Sequence, residues 1–364
     1  MNFLLTCSAW LEKIAKNEVL KQGWNITEVK DRLVFFEGPE ELISKINLWS
    51  RVWNKLYLIL WSKKNVDNFD ILFDLVYSID WQKYINKNHP IITKATTIKS
   101  TLTSTPVLQS ITKKAIVKKL NNWSDKFLLE DIDLPNYEVF SFLIEDETFV
   151  LLNTSWDTLY KRGYRYDAWE APIKESLAAW LVILSNWKFS DTLYDPFCWS
   201  WTIVIEALML AKNIAPGINR KFAFENWSFL DKNILLEEKE IAKSKIFNKD
   251  YKVIASDISP EMIEISKENA KNAWVLDDID FRVLDFREYK KENLSWTLIT
   301  NPPYWLRLKD DDLKGLYKDV ISLFDKNESL NWWFISSYND FNHRIFKNRK
   351  LYNWNEMCYF YLKK

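Results

Sequence analysis

The sequence predicts an α/β protein: a doubly wound, mostly parallel sheet in the C-terminal half, preceded by smaller α+β units. Three observations lead there. Beyond residue 165 short apolar strands alternate with helix-length segments; before residue 155 the elements are shorter and mixed; and Lys161-Arg162-Gly163-Tyr164-Arg165 marks the change, which puts the boundary near 155–165.

Helix 10–21, strand 31–36, helix 39–46 and strand 55–60 make the first unit, spanning 1–62. A second unit covers 63–155 and ends in strands 139–144 and 148–153. Within it, 91–120 carries Lys94, Lys99, Lys113, Lys114, Lys118 and Lys119, several Thr and Ser, and no acid. A charge run of this kind commonly marks a solvated amphipathic helix. Beside the hydroxyl-rich Thr101-Leu102-Thr103-Ser104-Thr105 it also suits a phosphate-contacting face, because lysine and hydroxyl groups both serve that role. The third unit, 160–364, reads as helix 177–184, strand 192–194, helix 203–211, strand 252–255, helix 260–272 and strands 280–283 and 298–299. The charged stretch 230–250 reads as a helical insertion without a motif.

Composition narrows the class. The 364 residues hold 50 Lys+Arg and 50 Asp+Glu, so any attraction to nucleic acid must come from a local patch. No run reaches the roughly 18 apolar residues of a membrane helix, and the start lacks a signal-peptide pattern, so a cytoplasmic protein with no membrane partner is expected. Three scattered cysteines and two histidines give no disulfide framework and no zinc spacing, so no metal is expected.

One figure is abnormal. Glycine numbers 5 and tryptophan 20, whereas average usage would give roughly 25 glycines in a chain of this length. Several tryptophans sit where a small residue is expected, as in Trp199-Ser200-Trp201, Trp332-Trp333 and Trp305 after Asn301-Pro302-Pro303-Tyr304. This pattern suggests that most are glycines encoded by UGA and written out as tryptophan; a truly Trp-rich chain is the alternative. Trp81 and Trp227, in apolar or aromatic surroundings, read as genuine.

Ligands of doubly wound sheets bind beyond the carboxyl ends of the strands, where strand order reverses. The first strand there ends in Asp195-Pro196-Phe197-Cys198-Trp199-Ser200-Trp201-Thr202; glycine at 199 and 201 would let a ligand approach the backbone, with Asp195 able to anchor a cationic amino group. The bland reading is a strand-to-helix turn capped by Thr202. Asp257, ending the next strand, suits ribose hydroxyls or a helix N-cap, and Asp285 suits an adenine amine or a plain turn. The fourth strand runs into Asn301-Pro302-Pro303-Tyr304. Two prolines forbid continued helix or ladder. That leaves the Asn301 side chain and the Pro302 carbonyl to accept from an exocyclic amine, with the Tyr304 ring available for stacking.

On these motifs the chain resembles the THUMP-domain class I RNA methyltransferases, specifically the bacterial large-subunit ribosomal RNA (guanine-N2)-methyltransferases. The likeness also rests on residues 103–116, on 153–165 and on Glu170-Ala171-Pro172-Ile173-Lys174-Glu175-Ser176-Leu177-Ala178-Ala179. It implies a Rossmann-like methyltransferase domain (160–364) behind ferredoxin-like (1–62) and THUMP (63–155) domains. It implies S-adenosyl-L-methionine as cofactor, held by Asp195, Phe197, Cys198, Ser200, Thr202, Asp257 and Asp285, and catalysis by Asn301, Pro302 and Tyr304. The partner implied is large-subunit ribosomal RNA, met by the six lysines together with Arg162 and Arg165. The residues alone leave N6-adenine methylation open, because the tetrad serves either purine amine, and leave a non-catalytic RNA-binding protein open should the tryptophans be genuine. The chain departs from the family pattern at Trp156, Trp169, Trp180, Trp199, Trp201, Trp274, Trp305 and Trp332, where small residues are expected.

Overall fold

The computed structural model describes residues 1–364 apart from 9–10, 22–23, 87, 123–129, 166–172, 199–200, 292–293, 304–309, 328, 339–345, 354–355 and 364. The chain forms two compact units. One comprises Met1–Cys7, Glu12–Leu159 and Arg220–Ile241; the other comprises Ser8–Leu11, Tyr160–Asn219 and Ala242–Lys364.

The first unit runs β1 (Asn2–Cys7), α1 (Glu12–Lys21), β2 (Asn25–Lys30), β3 (Leu33–Glu37), α2 (Glu41–Trp49), β4 (Trp53–Lys63), α3 (Phe69–Ser78), α4 (Trp81–Tyr84), β5 (Ile91–Ile98), α5 (Thr105–Leu120), β6 (Tyr137–Ile144) and β7 (Glu147–Asn153). Its seven strands make one sheet in the order β2-β3-β1-β4-β7-β6-β5. The two N-terminal units read from the sequence therefore share a sheet, joined where β4 pairs with β1 on one side and β7 on the other. Strand β1 buries Phe3, Leu4 and Leu5 in succession. A strand covered on both faces loses the alternation that flags a strand, and β1 was not legible for that reason.

The lysine-bearing segment divides in two. Residues Ile91–Ile98 form β5, parallel to β6, and only Thr105–Leu120 is helical. Helix α5 starts with Pro106 in its first turn and ends with Lys118 and Lys119, cations placed where the helix dipole favours them. Segment 220–241, read as part of the C-terminal unit, folds with the first unit instead: Arg220 donates to the carbonyls of Ser155, Asp157 and Thr158, and Trp49 Nε1 donates to Glu238.

The second unit runs α6 (Glu175–Ser185), β8 (Leu193–Asp195), α7 (Thr202–Ala211), then, after α8 (Ile234–Ser244), which begins in the first unit, β9 (Val253–Asp257), α9 (Pro260–Asn272), β10 (Ile279–Val283), β11 (Trp296–Thr300), α10 (Asp310–Lys326), β12 (Leu330–Ser336), β13 (Phe346–Asn353) and β14 (Glu356–Lys363). Strand order is β10-β9-β8-β11-β12-β14-β13. Strands β8 to β12 are parallel, and β14 and β13 add an antiparallel hairpin that the sequence reading did not resolve. The order reverses between β8 and β11, the first strand and the fourth, so the crevice for a ligand opens there. Helix α9 follows the sequence to the residue: Ser259 caps it by accepting from the Met262 amide, and Pro260 opens it.

Among the described residues, four tryptophans adopt left-handed backbone: Trp156 at φ 51°, Trp201 at 53°, Trp274 at 64° and Trp296 at 87°. For a bulky residue this conformation is a strain of roughly 1–2 kcal/mol. Trp180 and Trp332 do not share it. The first lies buried in α6 against Phe360, the second buried in β12 and stacked on Phe324 at 4.4 Å, so neither position calls for glycine by its backbone. Trp81 and Trp227 are buried on ordinary backbone, the former donating to the Val76 carbonyl at 2.8 Å. Trp169, Trp199 and Trp305 lie outside the described residues.

Candidate functional site

The site is built from four parallel strand ends. Strand β8 ends in Asp195, which is buried. Its Oδ1 accepts from Thr300 Oγ1 at 2.6 Å and from the Phe197 amide at 3.3 Å. Burial, helped by the charge of Asp257, pushes the Asp195 carboxyl up from an ordinary 3.8 to about 7, against the two hydrogen bonds that pull it down. Phe197 packs its ring on Phe286 at 4.5 Å between centroids.

Cys198 is buried, and its thiol donates to the Ser256 carbonyl, which also accepts from the Cys198 amide at 3.1 Å. Burial drives the thiol well above its ordinary value, so Cys198 is a tie between the β8 and β9 loops and not a nucleophile. Ser200 lies outside the described residues. Trp201, not Thr202, holds the cap position of α7; its indole is buried on Phe281 and donates to the Met262 carbonyl at 3.1 Å. Thr202 is the first residue of α7, and its hydroxyl accepts from Arg165 Nη2 at 2.5 Å.

At the end of β9, Asp257 accepts from the Ser259 amide at 3.0 Å, and its carbonyl accepts from the Leu284 amide at 2.9 Å, which ties the β10 end to it. The helix cap is Ser259, so the alternative reading of Asp257 as that cap falls. Ser256 Oγ, next to Asp257, is buried with no hydrogen-bond partner among the described residues. A buried hydroxyl without a partner fits a polar ligand reaching this crevice, as do the two carboxylates 195 and 257 for a ligand with a cationic group. Asp285 plays the turn role, accepting from the Arg287 amide at 2.9 Å and pairing with the Arg287 guanidinium at 3.0 Å. Strand β11 delivers Asn301, partly exposed, and Pro302, buried, beside Asp195; Tyr304 lies outside the described residues.

The cationic residues split. Arg162 is buried against Glu206 at 3.2 Å, where Tyr164 also donates at 3.3 Å, and Arg165 pairs with Glu175 at 3.3 Å and donates to the Ile173 carbonyl. Arg162 serves the interior of its unit, because a buried guanidinium must be paired, so its expected role as an RNA contact is corrected; Arg165 is partly buried and held by these partners. Lys94 pairs with Glu138 at 2.5 Å, and Lys113 pairs with Glu130 while donating to the Ile91 carbonyl. Lys99, Lys114, Lys118 and Lys119 remain on the outer side of their unit, Lys99 at 3.8 Å from Glu145 and Lys119 over the Tyr77 ring. Sequence reasoning missed Thr300 and Ser256. The only signal for either was its place, one residue before a strand-end motif.

A profile of the RMKL-like methyltransferase domain matches residues 162–358, and one of the RlmL ferredoxin-like domain matches residues 2–57. The candidate RNA methyltransferase YpsC of Bacillus subtilis (strain 168) is 34% identical, over 96% of this chain and 92% of its own length. The tRNA (guanine(6)-N2)-methyltransferase of Methanocaldococcus jannaschii is 33% identical, over 88% and 86%. The ribosomal RNA large subunit methyltransferase K/L of Shewanella baltica (strain OS195) is 32% identical over 90% of this chain, which spans about half of that longer protein. Among solved structures, a possible methylase from Clostridium difficile 630 superposes with a TM-score of 0.92 at 38% identity, covering 100% of this chain and 97% of that one. The candidate methyltransferase SMU.472, complexed with SAH, gives 0.89 at 32%, with the same coverage.

Proposed function

From the premise that this chain belongs to the RMKL-like methyltransferase family, we propose that it uses S-adenosyl-L-methionine to methylate the N2 amine of a guanine in large-subunit ribosomal RNA. The observation that carries this reading is the juxtaposition of Asp195 and Asn301-Pro302 on neighbouring strand ends at the order reversal. Relatives named for guanine-N2 transfer on tRNA and for large-subunit rRNA methylation support the RNA class and the guanine.

In this reading the cofactor, when bound, supplies a sulfonium methyl group. Residues 195–202 would hold its methionine end, with Asp195 facing the cationic amino group. Asp257 and Ser256 would meet the ribose, and Asp285, besides its turn contacts with Arg287, would face the adenine. The target guanine leaves its stack, because its amine is shielded inside a helix. The Asn301 side-chain oxygen and the Pro302 carbonyl accept from that amine and aim its nitrogen, Tyr304 stacks on the ring, and no histidine is required. Positioning supplies most of the rate. A THUMP-type role for 63–155, with Lys99, Lys114, Lys118 and Lys119 contacting phosphates, completes the reading.

The reading includes glycine at 156, 201, 274 and 296, encoded by UGA. At 201 the loop then has no side chain in the bend where the cofactor enters. Peptide masses of the protein from its native source, or the codons themselves, test this: glycine at 201 with tryptophan at 81 and 227 supports it, and UGG at 201 overturns it. Methyl transfer is tested with labelled S-adenosyl-L-methionine and separately purified large-subunit rRNA and tRNA, followed by nucleoside mass spectrometry. N2-methylguanosine in the rRNA supports the proposal; N6-methyladenosine, or label in tRNA alone, overturns its finer part.

A further inference from the structure

The backbone ladder between β8 and β11 is short: Thr297 pairs with Leu193 and Leu298 with Tyr194. The strand ends that carry the chemistry lie past it. Among the described residues a side-chain bond joins them, Thr300 Oγ1 to Asp195 Oδ1 at 2.6 Å, between two residues 105 positions apart and both about 2% exposed or less. The Asp195 end is fixed a second time, since the same oxygen accepts from the Phe197 amide at the start of the 195–202 loop. The Thr300 end is fixed because the next residue is Asn301, followed by two prolines with restricted backbone.

We propose that Thr300 is a positioning residue: its buried hydroxyl bond to Asp195 sets the distance and angle between the cofactor-side loop and the Asn301-Pro302 pair that aims the amine. This inference rests on the methyl-transfer reading above. The physical argument is one of lever arms. In-line transfer needs the nucleophile within a fraction of an ångström of its productive place, and a misplacement of about 1 Å costs on the order of 100-fold in rate. Past the paired residues the spacing of the two strand ends depends on contacts outside the ladder, and the Thr300–Asp195 bond is a buried one that spans it directly. A methyl group in place of the hydroxyl keeps the volume of the side chain and loses the tie. Because Thr300 acts through Asp195 and is assigned to neither ligand, loss of its hydroxyl alters the chemical step more than binding of either ligand alone.

The test compares the unsubstituted protein with Thr300→Val, Thr300→Ser and Thr300→Ala, by methyl transfer to large-subunit rRNA, by SAH affinity in calorimetry and by thermal unfolding. In Thr300→Val, kcat is expected to fall about 10- to 100-fold, while the SAH Kd stays within about 3-fold. Thr300→Ser, which restores the hydroxyl, returns kcat to within about 3-fold of the unsubstituted protein. Thr300→Ala, with no steric demand, shows the same split as valine and replaces it should the valine variant not fold. Unaltered kcat in the valine and alanine variants, or equal losses in serine and alanine, overturns the inference while the methyl-transfer reading stands. Neither SAH binding nor transfer in the unsubstituted protein overturns both.

Discussion

Two helix ends in the same unit close with the same hydrogen bonds and different residues. After α7, the Asn213 amide bonds to the Leu210 carbonyl at 3.2 Å and the Ile214 amide to Met209 at 2.8 Å; after α9, Trp274 bonds to Lys271 at 3.0 Å and Val275 to Ala270 at 2.9 Å. Each is a Schellman closure, and each puts one residue in left-handed backbone, Asn213 at φ 55° and Trp274 at φ 64°. Asparagine is one of the few residues that tolerate this place, glycine is the usual one, and a branched or bulky side chain is a misfit. The hydrogen bonds alone therefore define a slot that α7 fills in an ordinary way and α9 does not. Trp201 repeats the misfit at the start of α7, where it bears on function.

The sharpest control on this comparison is a tryptophan in no such slot. Trp81 is fully buried on ordinary helical backbone and donates to Val76. Trp81→Gly is expected to lower stability by about 3–5 kcal/mol in a denaturant titration, from lost burial and the cavity left behind. A loss below about 1 kcal/mol would make backbone geometry useless as a guide to which indoles are native.

Next in size is the pH response around Asp195. Its carboxyl in the folded chain is raised from 3.8 to about 7, so its contribution is fully present below the unfolded value and lost as pH rises through the folded one. Stability should decline between about pH 4 and 7 by an amount of order a few kcal/mol, and in Asp195→Asn that part of the decline should vanish. Urea titrations at pH 5 and pH 8 on both proteins measure it. Equal pH slopes in the two proteins would show that the crevice holds Asp195 ionised throughout.

At Trp201 the two effects oppose each other. Glycine relieves roughly 1–2 kcal/mol of backbone strain and gives up an indole packed on Phe281 and bonded to Met262, a loss of about 3–5 kcal/mol. In the chain as written, Trp201→Gly should therefore be less stable by about 1–4 kcal/mol and yet bind SAH better, since the bend becomes slim. Calorimetry and melting together check the pair of signs; a gain in stability with no gain in SAH affinity would sever the link between this bend and the cofactor.

Much of the fold was legible and the site only in outline, for physical reasons. Helix α9 carried its own start signals in Ser259 and Pro260, and the strand ends announced themselves through Asp195, Asp257 and the Asn301-Pro302-Pro303 run. Strand β1 hid because both its faces are buried, and 91–98 hid because its three threonines and Lys94 resemble a polar helix. Segment 220–241 has ordinary charged sequence; nothing local tells it which unit to join. Arg162 looked like a surface cation beside Lys161, and only its distant partner Glu206 shows why it is inside. The Thr300–Asp195 bond spans 105 residues and is invisible to any window.

The smallest effect brings the comparison back to the two helix ends. Trp274 is 43% exposed, so glycine there gives up little packing while relieving left-handed strain. Trp274→Gly should raise stability by about 1 kcal/mol, and Trp274→Asn by somewhat less. Asn213→Gly, at the matched closure after α7, should shift stability by no more than about 0.5 kcal/mol, because asparagine already fits there. Denaturant midpoints of the three variants at constant m-value measure the series. Should Trp274→Gly and Asn213→Gly shift by the same amount, the indole at 274 is no misfit, and backbone geometry loses its claim to mark which tryptophans stand in place of glycine.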